Sequence, residues 1–208
     1  MTGGRGLLPK SMGVSRETEA RLGAFLDRVA LWTVKINLVS RGTIADLHAR
    51  HLLDSAQLLD HARSSDRIWA DLGSGGGFPA IVIAIIARDI RPDIRFTLVE
   101  SDKRKATFLR MIVAEQRLSA TVVAARIESV PPLKADVVSA RALAPLDRLL
   151  GMAERHLATD GIALFPKGET YRAEIATARK TWHFDVEDTP SVTRDAAALL
   201  KIKDIRRA

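Results

Sequence analysis

Apolar positions along this chain follow one rhythm up to about residue 66 and another after it. In the first stretch they recur at helical spacing: Leu22, Phe25, Leu26 and Val29 follow Ser15, which with Thr18 three residues on has the pattern of an N-cap. A second helix is expected over residues 44–62, with Leu52, Ala56 and Leu59 on one stripe, and K-I-N-L-V-S-R (35–41) links the two. From Arg67 onward, short apolar runs alternate with helical patterns. Strands are expected at 68–71, 95–100, 121–125, 136–140 and 161–165, with helices at 78–88, 103–117, 146–157 and 171–181. Such alternation predicts an α/β fold with a mostly parallel sheet covered on both faces. Residues 182–187 and 199–205 look like two strands with no helical pattern between them, an antiparallel edge. The expected organisation is a flexible arm (1–14), a helical extension (15–65) and an α/β domain (66–208), the last two sharing one core.

W-A-D-L-G-S-G-G-G-F-P (69–79) is the most informative stretch. An apolar run ends in an acid, a glycine-rich turn follows, and an apolar helix begins at Phe78. Such a turn sits at the carboxyl edge of the first strand, where small charged ligands bind, and its glycines admit φ > 0 and close backbone approach. A tight turn that binds nothing is the plainer alternative. Gly75, Gly77 and Ala80 satisfy the G-x-G-x-x-G/A spacing of a dinucleotide site, but counted from Gly73 the sixth position is Phe78, too large for close helix–strand contact. Asp71, Gly73, Gly75 and Gly77 match the D-x-G-x-G-x-G loop of S-adenosylmethionine-dependent enzymes position for position. Glu100 ends F-T-L-V-E at the tip of the neighbouring strand, where a carboxylate can accept from both hydroxyls of a ribose. Capping of the next helix is compatible with that role.

Charge and composition narrow the chemistry. The 208 residues carry a net charge of +7, which favours a polyanionic partner such as nucleic acid. There is no cysteine, so thiolate zinc sites and cysteine nucleophiles drop out. The apolar stretch 78–87 is too short to span a bilayer; a cytoplasmic protein is expected. If the ligand is a methyl donor, pyrimidine C5 is disfavoured as acceptor, because it commonly needs a cysteine. The N/D-P-P-Y/F loop of exocyclic-amine methylation is absent, its place being S-A-R-A-L-A-P (139–145). Guanine N7 remains, since its exposed lone pair needs no general base, and a ribose 2′-oxygen stays open. Arg141 and Lys167 end the fourth and fifth strands, at the functional edge; Arg141 has the alternative of a surface pair with Asp136 or Asp147. Lys103, Arg104 and Lys105 open a helix against its dipole, which hints at RNA phosphates. The histidines are dispersed, with His48 and His51 at i, i+3, and no metal is expected.

K-I-N-L-V-S (35–40), R-H-L-L-D-S (50–55), D-L-G-S-G-G-G-F-P (71–79), L-V-E-S-D-K-R-K (98–105), A-R-I-E (125–128), S-A-R-A-L-A-P-L (139–146) and F-P-K-G (165–168) occur together and in order. In this set the chain resembles the bacterial small-subunit rRNA methyltransferase G family, also called glucose-inhibited division protein B. The resemblance implies a Rossmann-like class I methyltransferase that moves a methyl group from S-adenosylmethionine to a guanine N7 in the 530-loop of 16S rRNA. By matching position it implies that Gly73, Gly75 and Phe78 line the donor site, Glu100 holds the ribose, Ile127 and Glu128 border the adenine, and Arg141 completes the pocket. Asn37, Arg126, Lys167 and Arg141 match positions serving substrate or active-site geometry. Phe78 stands where a leucine is more usual. The partner implied is 16S rRNA or the small ribosomal subunit, met by a monomer away from membranes.

Overall fold

The computed structural model of the protein describes residues 7–9, 12–39 and 51–208. Helix α1 (Arg16–Ile36) begins where Ser15, in an extended conformation, accepts the Thr18 N–H on its hydroxyl. Glu17 and Glu19 in the first turn and Lys35 in the last suit the helix dipole, and Asn37 ends the helix at φ 51°. The second expected helix is described only from residue 51. Its α-helical part is α2 (Asp54–Ala56), which tightens into a 3-10 turn over Gln57–His61. Its expected stripe of Leu52, Ala56 and Leu59 is buried. Within the segment expected as an arm, Leu8 is buried in the main core, with Leu7 and Met12 packed against it.

After these come β1 (Ile68–Leu72), α3 (Ala80–Ile90), β2 (Arg95–Val99), α4 (Lys103–Gln116), β3 (Ala120–Val123), β4 (Ala135–Ser139), α5 (Leu146–His156), β5 (Leu157–Lys167), α6 (Tyr171–Ala178), β6 (Trp182–Pro190) and β7 (Ala198–Arg207). They form one seven-stranded sheet in the order β3-β2-β1-β4-β5-β7-β6. Neighbours pair in parallel except β7, which runs antiparallel to both β5 and β6. The antiparallel edge is therefore made by inserting the last strand between its two predecessors. β5 starts earlier than its apolar run because a register shift pairs Leu157 with Ala135 before the regular ladder begins at Ile162 and Val137.

Two apolar cores lie on the two faces of the sheet. Trp69, Leu98, Val137, Ile162 and Leu164 face α1, α3 and α4; Ala70, Val99, Val138, Ala163 and Phe165 face α5 and α6. With both faces covered, the strands bury apolar residues toward both sides, and the buried polar ones among them, Asp71 and Ser139, follow no regular alternation. Helix α3 is apolar all round and buried from Ala80 to Ala87, because the sheet covers one side and α1 the other. Leu22, Phe25 and Val29 of α1 are fully buried in that shared core, and the Phe25 ring lies 5.2 Å from Phe78 in the glycine turn.

Strand order reverses at β1, with β2 on one side and β4 on the other, so the crevice at their carboxyl ends is where a ligand finds room. The extension is part of this core, and Phe25→Ala is expected to cost about 3–5 kcal/mol. Urea unfolding followed by tryptophan fluorescence and far-UV circular dichroism should give one shifted transition. Two transitions, the larger at its wild-type midpoint, would mean that the extension folds apart.

Candidate active site

The crevice is built on the glycine turn. The amides of Gly73 and Ser74 both donate to Val99 O, at 2.9 and 3.1 Å, stitching the turn to the end of β2. Gly73 has φ +70° and Gly77 φ +94°; a Cβ on Gly77 would stand 2.7 Å from Ile81 Cγ1 and 3.1 Å from the Phe25 ring. The glycines therefore bring the turn down onto α3 and α1. Gly75 N donates to Glu100 Oε2 at 2.8 Å, and Asp102 N donates to Glu100 Oε1 at 2.7 Å. Both carboxylate oxygens are fixed in orientation while each keeps a lone pair for a ligand hydroxyl.

Beneath the turn lies a buried polar chain. Trp69 Nε1 donates to Ser139 Oγ (2.8 Å), which donates to Asp71 Oδ1 (2.6 Å) across the β1–β4 pair. Asp71 Oδ2 is buried without a hydrogen-bond partner among the described residues. Burial pushes the Asp71 carboxyl up to about 7, against hydrogen bonds from Ser139 and Ser74 and with help from the nearby Glu100 charge.

Above the turn is a cavity of about 560 Å³ whose wall includes Gly73, Gly75, Phe78, Glu100, Ile127 and Arg141. Ile127 is pinned from behind, since the buried His156 ring reaches its carbonyl from Nε2 at 3.2 Å. A nucleoside with a charged amino-acid tail fits this set: a paired acceptor at Glu100, apolar walls, and a glycine floor over a buried acid. A second cavity of about 620 Å³ shares Arg141, Ala142 and Leu143 with the first and extends to Asp54, Lys167, Glu174 and Arg194. The two are neighbours across one short loop after β4.

The sequence model of the family described as GidB, rRNA small subunit methyltransferase G, matches residues 18–199. The chain belongs to this family. A protein of Cereibacter sphaeroides named ribosomal RNA small subunit methyltransferase G is 54% identical over 192 residues, 92% of this chain and 93% of its own. One of a Ruegeria species with the same name is 51% identical over 207 residues, the full length of both. Among solved structures, the glycopeptide N-methyltransferase MtfA with bound S-adenosyl-L-methionine has a TM-score of 0.57 at 13% identity, over 74% of this chain and 94% of its own. TYW2 of M. jannaschii in complex with AdoMet has a TM-score of 0.53 at 12% identity, over 82% and 78%. At such identities these structures share the fold, that of class I methyltransferases.

Within the GidB frame, Gly73, Gly75, Phe78, Glu100, Arg126, Ile127, Glu128 and Arg141 all line the first cavity. Asn37 is the exposed C-cap of α1 and lines neither cavity, although Leu38 and Val39 beside it line the first. Lys167 lines the second cavity and is 9% exposed; its Nζ donates to Ala144 O (3.0 Å) and Glu174 Oε2 (2.7 Å). Glu174 Oε2 also accepts from Leu146 N (2.9 Å), so Lys167 holds the start of α5 to α6. Asp136 is not the partner of Arg141: it lies at the other end of β4 and accepts from the amides of Arg67 and Ile68. Arg141 Nη2 instead donates to His51 Nδ1 at 2.6 Å, and the His51 ring stands 5.1 Å from Phe78.

His51 and Lys105 both line the first cavity and escaped the sequence reading. His51 was visible only as a helical neighbour of His48, which lies outside the described residues. Lys105 was one cation of a basic turn. That turn is less unfavourable than its sequence suggested, because Asp102 caps α4 by accepting from Arg104 N and Lys105 N.

The raised Asp71 value has a consequence for stability. The folded chain keeps a proton that the unfolded chain loses at its ordinary 3.8, so this group's contribution is complete below that pH and is lost as pH rises through about 7. Asp71→Asn should remove this fall, and the gap between the two proteins' unfolding free energies from urea titrations should change over that window by a few kcal/mol at most. Parallel pH curves would mean that Asp71 is ionised throughout.

Proposed function

We propose that the protein is a 16S rRNA (guanine-N7)-methyltransferase using S-adenosyl-L-methionine, acting on a guanine of the 530-loop. The observation that carries this reading is the juxtaposition of two cavities across residues 141–143, one of them with a paired acceptor at Glu100, in a chain of the GidB family. The names borne by its relatives supply the rRNA substrate. In the first cavity, Glu100 takes both ribose hydroxyls, Ile127 and Glu128 border the adenine, and Gly73, Gly75 and Phe78 form the floor beneath the methionine part. Asp71 acts from below, through the turn and its polar chain.

The bound donor supplies an electrophilic methyl on a sulfonium. The guanine N7 lone pair forms the new C–N bond as the C–S bond breaks and its electrons return to sulfur. The positive charge moves from sulfur to the base, and the products are S-adenosyl-L-homocysteine and 7-methylguanosine. No proton leaves, so the residues around the reacting atoms need only align them and manage charge. Arg141, held by His51, stands in the shared wall where donor and acceptor meet; Arg126 serves the same opening. Lys167 fixes the far wall through Glu174, and Asn37 sets the turn that carries Leu38 and Val39 into the cavity. The protein works as a cytoplasmic monomer on the small subunit or its rRNA, without a metal.

Labelled methyl should pass from S-adenosyl-L-methionine to small subunits lacking the modification, and nuclease digestion should return the label as 7-methylguanosine. Label in another nucleoside would overturn the acceptor. Glu100→Gln should raise the donor dissociation constant by roughly 10- to 100-fold in calorimetry, with a lower melting temperature because either Gly75 N or Asp102 N then faces an amide NH2; an unchanged affinity would remove Glu100 from the ribose. Lys103 and Arg104 are exposed on the same edge. Reversing both charges should raise the KM for small subunits and lessen the slope of log affinity against log salt by about two.

A further inference from the structure

The second cavity has its own means of choosing a base. We infer that it is the acceptor-base site and that the Asp54 carboxylate selects guanine there through N1–H and the 2-amino group, an inference that rests on the methyltransferase reading above. Asp54, half-buried at the start of α2, lines this cavity together with the loop that follows β6. Ser191 Oγ and Thr193 Oγ1 both donate to its Oδ1, at 2.7 and 2.8 Å. Gln57, three residues on, braces the same loop: its Nε2 donates to Pro190 O at 2.9 Å and its Oε1 accepts from Val192 N at 3.3 Å.

The carboxylate is thus locked in rotation by hydroxyls that crowd one oxygen. Oδ2 accepts no hydrogen bond among the described residues, and tethering two neutral hydroxyls does not require a charge. Of the cations that line the cavity, Lys167 is paired with Glu174, and none forms an ion pair with Asp54 among the described residues. What remains is an oriented acceptor with two open lone pairs, at the edge of a space wide enough for a purine.

Guanine offers two adjacent donors on its Watson–Crick edge, N1–H and the 2-amino group, and a carboxylate can take both. Adenine offers a lone pair at N1, which a carboxylate repels. A base held by that edge presents its imidazole side, with N7, away from Asp54. Residues 141–143 line both this cavity and the first one, so the two spaces meet at that segment. The residue that selects guanine thereby also exposes the atom to be methylated.

Asp54→Asn is the informative variant, because its amide oxygen can still accept from Ser191 and Thr193 while its amide nitrogen cannot accept from the base. Its melting temperature and donor affinity should match wild type. Its kcat/KM on unmodified small subunits should fall by roughly 10- to 100-fold. Small subunits reconstituted with inosine at the target lack the 2-amino group. They should be poorer substrates for wild type and bring little added loss to Asp54→Asn, a double-mutant cycle between protein and base. Full activity of Asp54→Asn, or an inosine penalty of equal size in both proteins, overturns the inference and leaves the methyltransferase reading intact. Should the variant misfold, the wild-type inosine comparison decides, and the absence of any penalty is fatal. If wild type puts no label into guanosine, the underlying reading fails instead.

Discussion

An acid sealed under a glycine turn has to be held by something other than water. In this molecule Asp71 is held by Ser139, itself fixed by the Trp69 indole, in a chain that crosses from β1 to β4 inside the main core. A carboxyl placed there is costly to ionise. The arrangement persists because strand register sets Asp71 directly opposite Ser139, and the fully buried Trp69 cannot turn away. Everything above depends on this lock: the height of the turn, the Gly75 amide that orients Glu100, and the line of the cavity floor.

The loop after β4 is the second constraint. Leu143 packs onto Gly73, where a Cβ would come within 2.6 Å of Leu143 Cδ1, so the loop rests on the turn itself. Arg141, anchored on His51, closes the same wall. One short segment therefore separates two cavities and belongs to both. In a reaction that needs alignment more than acid–base chemistry, a thin shared wall is the feature that matters.

Charges at this edge are distributed with the same economy. The basic opening of α4 would oppose the helix dipole, but Asp102 supplies the capping carboxylate, while Lys103 and Arg104 are exposed and Lys105 lines the first cavity. Lys167 serves geometry by ion pairing, and Asp54 gives one oxygen to the strap at Ser191 and Thr193. Positive residues that look alike in composition thus divide into exposed, cavity-lining and structural ones.

The α/β architecture was legible because buried parallel strands need continuous apolar runs and amphipathic helices need a period of 3.6 residues. Both are local properties, and strands and helices of the α/β domain fell within a few residues of their expected bounds. The donor side was legible for a related reason: a turn with positive φ demands glycine, and the acid after β2 follows it at a fixed strand position. The register shift that lengthens β5 was not legible, because it arises between strands. Nor was the pairing of Arg141 with His51 across 90 residues, the pinning of Lys167 by Glu174, or the meeting of Asp54 with Ser191 and Thr193. Side chains far apart in the chain are brought together by sheet order and loop path, and no local pattern encodes that. The sequence by itself determined most of the elements, the turn and many of the residues that line the first cavity. Only the tertiary structure decided which polar atoms are already engaged and which are left to meet a ligand, because that depends on who stands next to whom in three dimensions.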